Sequence, residues 1–281
     1  MANVAGTVDG RRTGLWLGLL ILGMVVIGGV GVTLYARGRW WLPPLASAEG
    51  AQIDRLFYST LAITGAVFVL VHVLLALFVW RYAAGGDRKA LYWHDNRRLE
   101  MMWTIVPAVA LAIMVSASGA VWARLHLATP PQGLEVDVRG EQFAWLSRYP
   151  GPDGKLGQVD PARIDHRTNP MGLNPQDPAA ADDVVSSELH LVVHKPARIR
   201  LRSTGVIHSF YVPAFRVKQD AVPGVTIDFW FTPTVEGQYE IACAELCGIG
   251  HYAMKGKLVV ESQQAFDTWL ARQTPSLQKT P

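Results

Sequence analysis

The sequence predicts a membrane-anchored protein in two parts, transmembrane α-helices followed by an all-β domain. Three observations predict it. Long stretches of the first half carry no charge, the second half alternates with period two between Gly and Pro breaks, and one short loop near the end gathers both cysteines. The 281 residues could make one large or two ordinary domains. With 17% charged residues and a mean hydropathy of +0.17, the chain is too apolar for an ordinary soluble protein. The net charge of +3 is small and decides nothing about nucleic acid, but no basic cluster is interleaved with aromatics, so nucleic-acid binding is set aside.

Uncharged runs extend from Thr13 to Ala36, from Leu56 to Trp80 and from Met101 to Ala123. Each exceeds the roughly 20 residues that a helix needs to cross a bilayer core. Arg81, Arg88, Lys89, Arg97 and Arg98 crowd the loop between the second and third runs, which the positive-inside rule places in the cytoplasm. Arg11 and Arg12 then start the first run inside, and everything after Arg124 lies outside, consistent with a bacterial inner membrane and a periplasmic domain. The first run has a rival reading as a signal segment, with Ala46-Ser47-Ala48 as its cleavage site. Its apolar stretch is longer than usual for that role, and Arg37 to Leu45 intervene, so the lengths favour a retained helix. His72 reads as a helix-contact residue. The expected division is 1–48, a helical pair over 49–128, and a domain over 129–281.

After Thr129-Pro130-Pro131 the period changes. Leu134–Val138, Leu189–Val193, Arg198–Arg202, Ile207–Val212, Thr226–Phe231 and Gln238–Ala242 read as strands, and short strands without intervening helices make a sandwich or barrel. Residues 150–183 are rich in Pro, Gly, Asp and Asn without periodicity, a surface insertion. Ser262 caps a last helix that sets Phe266, Trp269 and Leu270 on one face.

The informative segment is Cys243-Ala-Glu-Leu-Cys247-Gly-Ile-Gly-His251-Tyr-Ala-Met254. Soft sulfur donors with imidazole select copper or zinc over hard cations. His208, on a strand, could join the same loop. A mononuclear blue-copper site uses one Cys, two His and a weak axial Met, so this chain has one thiolate more. Two thiolates can bridge two coppers, each keeping one imidazole and one weak donor, Met254 and a carbonyl near Glu245. A Cys243–Cys247 disulfide and a zinc site of Cys243, Cys247, His208 and His251 stay open beside it. The remaining histidines fit no comparable cluster.

These residues resemble a known family. The pattern Cys-x-Glu-x-Cys-Gly-x-x-His-x-x-Met, preceded by His208-Ser-Phe and Lys218-Gln-Asp-Ala-Val-Pro-Gly224, is similar to the copper A region of cytochrome c oxidase subunit II. Leu99-Glu-Met-Met-Trp-Thr-Ile-Val-Pro107 resembles that family's helix signature. The resemblance runs from about Ile53 to Leu270. It implies a helical hairpin carrying a cupredoxin-like Greek-key β-barrel or sandwich. Dinuclear copper would be held by His208, Cys243, Cys247, His251, Met254 and the Glu245 carbonyl. The Glu245 side chain would face a magnesium ion shared with catalytic subunit I, and Glu100 matches a glutamate at the mouth of a proton pathway. The implied activity is electron input to an aerobic respiratory oxidase. A c-type cytochrome, another periplasmic carrier or a donor respiratory complex would supply electrons to a complex that also contains subunit III. Haem would belong to the partner subunit, since this chain has no Cys-x-x-Cys-His.

Three departures stand out. Gln142-Phe-Ala-Trp145 replaces the usual Gln-Trp-x-Trp, leaving Phe143 and Trp145 as candidates for electron input. Arg148 stands near where many members carry an acid that attracts a basic cytochrome c. An extra helix precedes the hairpin. Alternative implications are a copper A subunit of a nitric oxide reductase, a copper-free structural subunit of a quinol oxidase, or a copper-binding membrane protein without electron transfer.

Overall fold

A computed structural model describes residues 9–39, 41–83, 89 and 91–278. Arg88, one of the basic residues between the second and third runs, lies outside the described residues. The chain forms two compact units, residues 1–41 with 55–118, and residues 42–54 with 119–281.

Three helices carry the apolar runs, α1 (Gly10–Arg39), α2 (Gly50–Tyr82) and α3 (Arg97–His126). All are long and apolar enough to cross a membrane. Gly14 and Gly18 recur four residues apart on α1, where a side chain would collide with α2: a Cβ at Gly18 would stand 2.9 Å from the Ala76 carbonyl oxygen. Small residues at this spacing let two helix backbones approach closely. His72 closes onto its own helix, with Nδ1 2.8 Å from the Phe68 carbonyl. At the start of α3 the Asn96 side chain accepts from the backbone N–H groups of Arg98 and Leu99, and the Glu100 carboxylate accepts from Asn96 N–H at 3.3 Å. Glu100 thus helps to cap its own helix.

The second unit is a sandwich of two five-stranded sheets. The strands are β1 (Leu134–Glu141), β2 (Ala144–Tyr149), β3 (Val184–Ser186), β4 (Glu188–Val192), β5 (Ala197–Ser203), β6 (His208–Val212), β7 (Val217–Ala221), β8 (Ile227–Phe231), β9 (Gly237–Cys243) and β10 (Lys255–Glu261). One sheet runs β3-β2-β1-β5-β8 and the other β4-β10-β9-β6-β7. Parallel pairs β1–β5 and β4–β10 sit among antiparallel ones, so the chain crosses repeatedly between sheets. Val136, Val138, Leu189, Leu191, Ile199, Leu201, Phe210, Phe231 and Leu258 fill the interface between them. A helix, α4 (Gln263–Ala271), begins at Ser262, whose Oγ accepts from Ala265 N–H, and packs Phe266 and Trp269 against this core.

The first sheet is covered on both faces at its β2–β3 end. Met171, Leu173 and Ala180 of the 150–183 insertion pack with Val185 against Leu146 on the side away from the main core. Arg148 lies fully buried beneath it, donating to Asp137 and Asp183 at 2.6 Å each and to the Gly157 carbonyl at 2.8 Å. A buried guanidinium needs such partners to offset its desolvation. Arg148 therefore ties the insertion down and is no part of a docking surface.

Residues 42–54 form a strap on the sandwich. Ala46 N–H donates to the Ala214 carbonyl, Ala48 N–H to the Thr232 carbonyl, and Thr234 N–H to the Ala46 carbonyl. Glu49 accepts from the backbone and hydroxyl of Thr232, and Asp54 takes a bidentate pair from Arg216. Ala46 and Ser47, within the expected cleavage motif, are buried in this strap.

Candidate metal centre

The site is built where β6, β9 and β10 converge. Antiparallel pairing sets Phe210 opposite Cys243, which brings His208, two residues earlier on β6, to the end of β9. The Cys243–Met254 loop then joins β9 to its neighbour β10, and it is closed at its base by Cys243 N–H donating to the Met254 carbonyl. Ala244 N–H donates to the Ser209 carbonyl, fixing the loop to β6. A turn of 3-10 helix, His251–Ala253, returns the chain toward Met254.

Five donor side chains meet there. Cys243 Sγ lies 3.8 Å from His208 Nδ1 and 3.8 Å from Cys247 Sγ. Cys247 Sγ lies 3.7 Å from His251 Nδ1 and 3.7 Å from Met254 Sδ. The Glu245 carbonyl oxygen is 3.2 Å from Cys243 Sγ, while its side chain points out exposed. The sulfur separation is far longer than the roughly 2.05 Å of a disulfide, and both cysteines are free thiols. The donor gaps match the chords across a metal bound at about 2.0–2.3 Å. His208, Cys243 and Cys247 have ligand atoms all within 4.8 Å of one another, a set consistent with a copper site.

The electrostatics suit a metal-binding centre. Burial, followed by repulsion from His251, holds the pKa of His208 below its usual value, so the neutral, ligating form is favoured. Burial and the neighbouring Cys243 push the Cys247 thiol up to about 11. A metal entering here displaces a proton.

The aromatic pair expected for electron input splits. Trp145 is 2% exposed and meets His208 edge-on at a ring separation of 6.1 Å. Phe143 stays on the surface, over Gly248 and Gly250 of the ligand loop. Sequence reasoning named Gln142 only as the first residue of its aromatic segment and missed its contact with the loop, where its side-chain N–H donates to the Cys247 carbonyl at 2.5 Å. Glutamine in a β-turn carries no periodic signal that could have singled it out.

These features define a class, a membrane-anchored cupredoxin-like protein with a thiolate–imidazole metal site. The model of the cytochrome c oxidase subunit II periplasmic domain matches residues 171–263, and that of the subunit's transmembrane domain matches residues 36–119. The alternative cytochrome c oxidase subunit 2 of Bradyrhizobium diazoefficiens is 40% identical over 256 residues, 90% of this chain and 91% of that one. Cytochrome c oxidase subunit 2 of Thermostichus vulcanus is 30% identical, over 85% of this chain and 80% of its own. The crystal structure of the periplasmic domain of subunit II from Bradyrhizobium japonicum is 28% identical, covering 51% of this chain and 95% of that one at a TM-score of 0.38. The chain belongs to the cytochrome c oxidase subunit II family. It is the electron-input subunit of a haem–copper oxidoreductase complex.

Proposed function

We propose that the loop holds a dinuclear copper centre bridged by Cys243 and Cys247. His208 and Met254, His251 and the Glu245 carbonyl would supply the terminal donors. The carrying observation is the order of the donors. The thiols stand side by side in the middle, His208 beside one and His251 beside the other. A single tetrahedral zinc would draw all four donors into one mutually close set, whereas the close set here leaves out His251. Two coppers sharing one unpaired electron supply a one-electron store with small reorganisation.

The residues around the centre do the rest. The sandwich holds the donors before metal arrives, which keeps the geometry rigid. Phe143, Leu246, Ile249 and Tyr252 present an exposed apolar face over the ligand loop, and Ile249 is 94% exposed. That face suits contact with a c-type cytochrome or another periplasmic carrier, with Trp145 packed behind it. The outward Glu245 carboxylate suits a hard cation such as magnesium at a contact with subunit I, where haem would accept the electrons and oxygen would be reduced with proton pumping. Subunit III completes the expected partners, in a bacterial inner membrane with the sandwich on the periplasmic side. Glu100 would serve proton uptake at the cytoplasmic end of α3.

The test uses the full chain in detergent, because residues 42–54 are part of the sandwich. Loaded with copper, it should bind two coppers per chain and show a paramagnetic spectrum of one electron shared equally between them. Cys247→Ser should abolish that spectrum while leaving the thermal melt of the sandwich within a few degrees of the parent. One copper per chain, a preference for zinc, or an oxidised thiol pair that resists copper would refute the dinuclear reading.

A further inference from the structure

Cys247 is the hub of the site, since its sulfur faces Cys243, His251 and Met254 at 3.7–3.8 Å. Its sulfur hangs from the Cα that precedes the Cys247–Gly248 peptide, so a shift of the loop backbone at that peptide carries the sulfur with it. That glycine has φ +129°, a backbone state that residues with a Cβ rarely adopt. Five of the loop's own backbone donors go elsewhere: Cys243 to Met254, Ala244 to Ser209, His251 to Gly248, Ala253 to Gly250 and Met254 to His251. The Cys247 carbonyl accepts instead from a side chain of another hairpin, Gln142.

The β1–β2 hairpin is shaped to reach it. Gln142 and Phe143 form its two-residue turn, between Glu141 and Ala144. A Cβ on Gly248 would stand 2.8 Å from Gln142 Nε2, and one on Gly250 would stand 2.5 Å from the Phe143 ring. Both glycines are bare where the turn lies on them. One pair further down the same hairpin, Gly140 and Trp145 lie against His208, and a Cβ on Gly140 would be 3.2 Å from it. The hairpin therefore touches both chain segments that carry donors, the β6 end through Trp145 and the loop through Gln142.

We propose that Gln142 is a positioning residue for the metal centre. Donation from its side-chain amide to the Cys247 carbonyl sets the Cys247–Gly248 peptide, and so aims the Cys247 sulfur at the other donors. Without that donor the peptide can rotate about the glycine, and the sulfur drifts from the position that both metals need. The inference rests on the copper reading above. Partners that orient metal ligands in this way commonly change metal affinity by about 10–100-fold when removed.

The experiment compares the full parent chain with Gln142→Met, which keeps length and bulk but donates nothing, and Gln142→Glu, which keeps the shape and turns a donor into an acceptor. Two readouts are taken. In the metal-free chains, with cysteine labelled by carbon-13 at the carbonyl, infrared spectra should show one of the two labelled bands at higher wavenumber in both variants. In the copper-loaded chains, both variants should lose copper to a chelator about tenfold faster, with altered copper splitting in the paramagnetic spectrum. Labelled bands that do not move would show that the hydrogen bond is not made. Copper retention and splitting identical to the parent in Gln142→Met and Gln142→Glu would show that the residue only fills space. Either result overturns the proposal. A parent chain that takes up no copper overturns it too, together with the dinuclear reading, and that failure is read from the parent alone.

Discussion

The two units use the same aliphatic side chains in opposite ways. In α3, Leu111, Ile113 and Val115 are 60%, 64% and 69% exposed, whereas Leu189, Ile199 and Leu201 of the sandwich are at most 1% exposed. The helices satisfy their backbone polar groups internally and present apolar residues outward, the arrangement that suits lipid. The sandwich faces water, so its apolar residues must find one another. Apolarity in the first unit is a match to solvent, and in the second it is a set of contacts. Only contacts can place a histidine beside a thiol. The metal centre accordingly belongs to the sandwich.

Substitutions can break that contrast. The largest effect should come from Phe210→Ala, which empties a fully buried position against Trp145 and Phe229. It should cost about 3–5 kcal/mol, read as a lower thermal midpoint with copper lost alongside it. An unchanged midpoint would mean that the sandwich is not held by this core. Leu111→Arg tests the other unit. A charge in the middle of α3 should disfavour insertion by about 3 kcal/mol, lowering the membrane-inserted fraction while the inserted molecules keep the copper spectrum of the parent. Loss of copper from inserted chains would contradict the independence of the two uses.

A smaller effect sharpens the picture at the sandwich edge. Asp220 on β7 accepts from Ser209 Oγ at 2.7 Å and from Lys218 at 2.9 Å, and these bonds hold its carboxyl below the usual 3.8. A depressed carboxyl pKa stabilises the fold above the unfolded value, and that contribution disappears as pH falls through the folded value. Asp220→Ala should therefore cost up to about 1 kcal/mol at neutral pH, and its melting difference from the parent should close as the pH drops below about 4. A difference that persists in acid would place the effect in packing rather than charge.

How far the sequence could be read followed the same contrast. The helices were legible because a run without charge is a local property. Strands with one wet face, such as β5 with its Arg198-Ile-Arg-Leu-Arg202 alternation, were legible too. β2 was not, because Arg148 breaks the alternation, and it can do so only because a distant Asp183 and the insertion cover it. β7 and β10 mix lysine with apolar residues and give no clear period. At the site, His251 and Met254 were legible beside the cysteines, and His208 could be offered as their partner without its distance. The contact of Gln142 with the ligand loop and the docking of the 42–54 strap were not legible, since each joins residues more than a hundred positions apart.

By itself the amino-acid order determined three membrane-length helices, a β-rich remainder and the donor chemistry of one loop, because solvent preference and ligand type belong to the residues themselves. Tertiary structure alone decided that the insertion roofs a sheet over a buried arginine, and that the strap closes the sandwich. It also decided that the donors line up with two sulfurs at their centre. Those are matters of distance between remote parts of the chain, and packing sets distance.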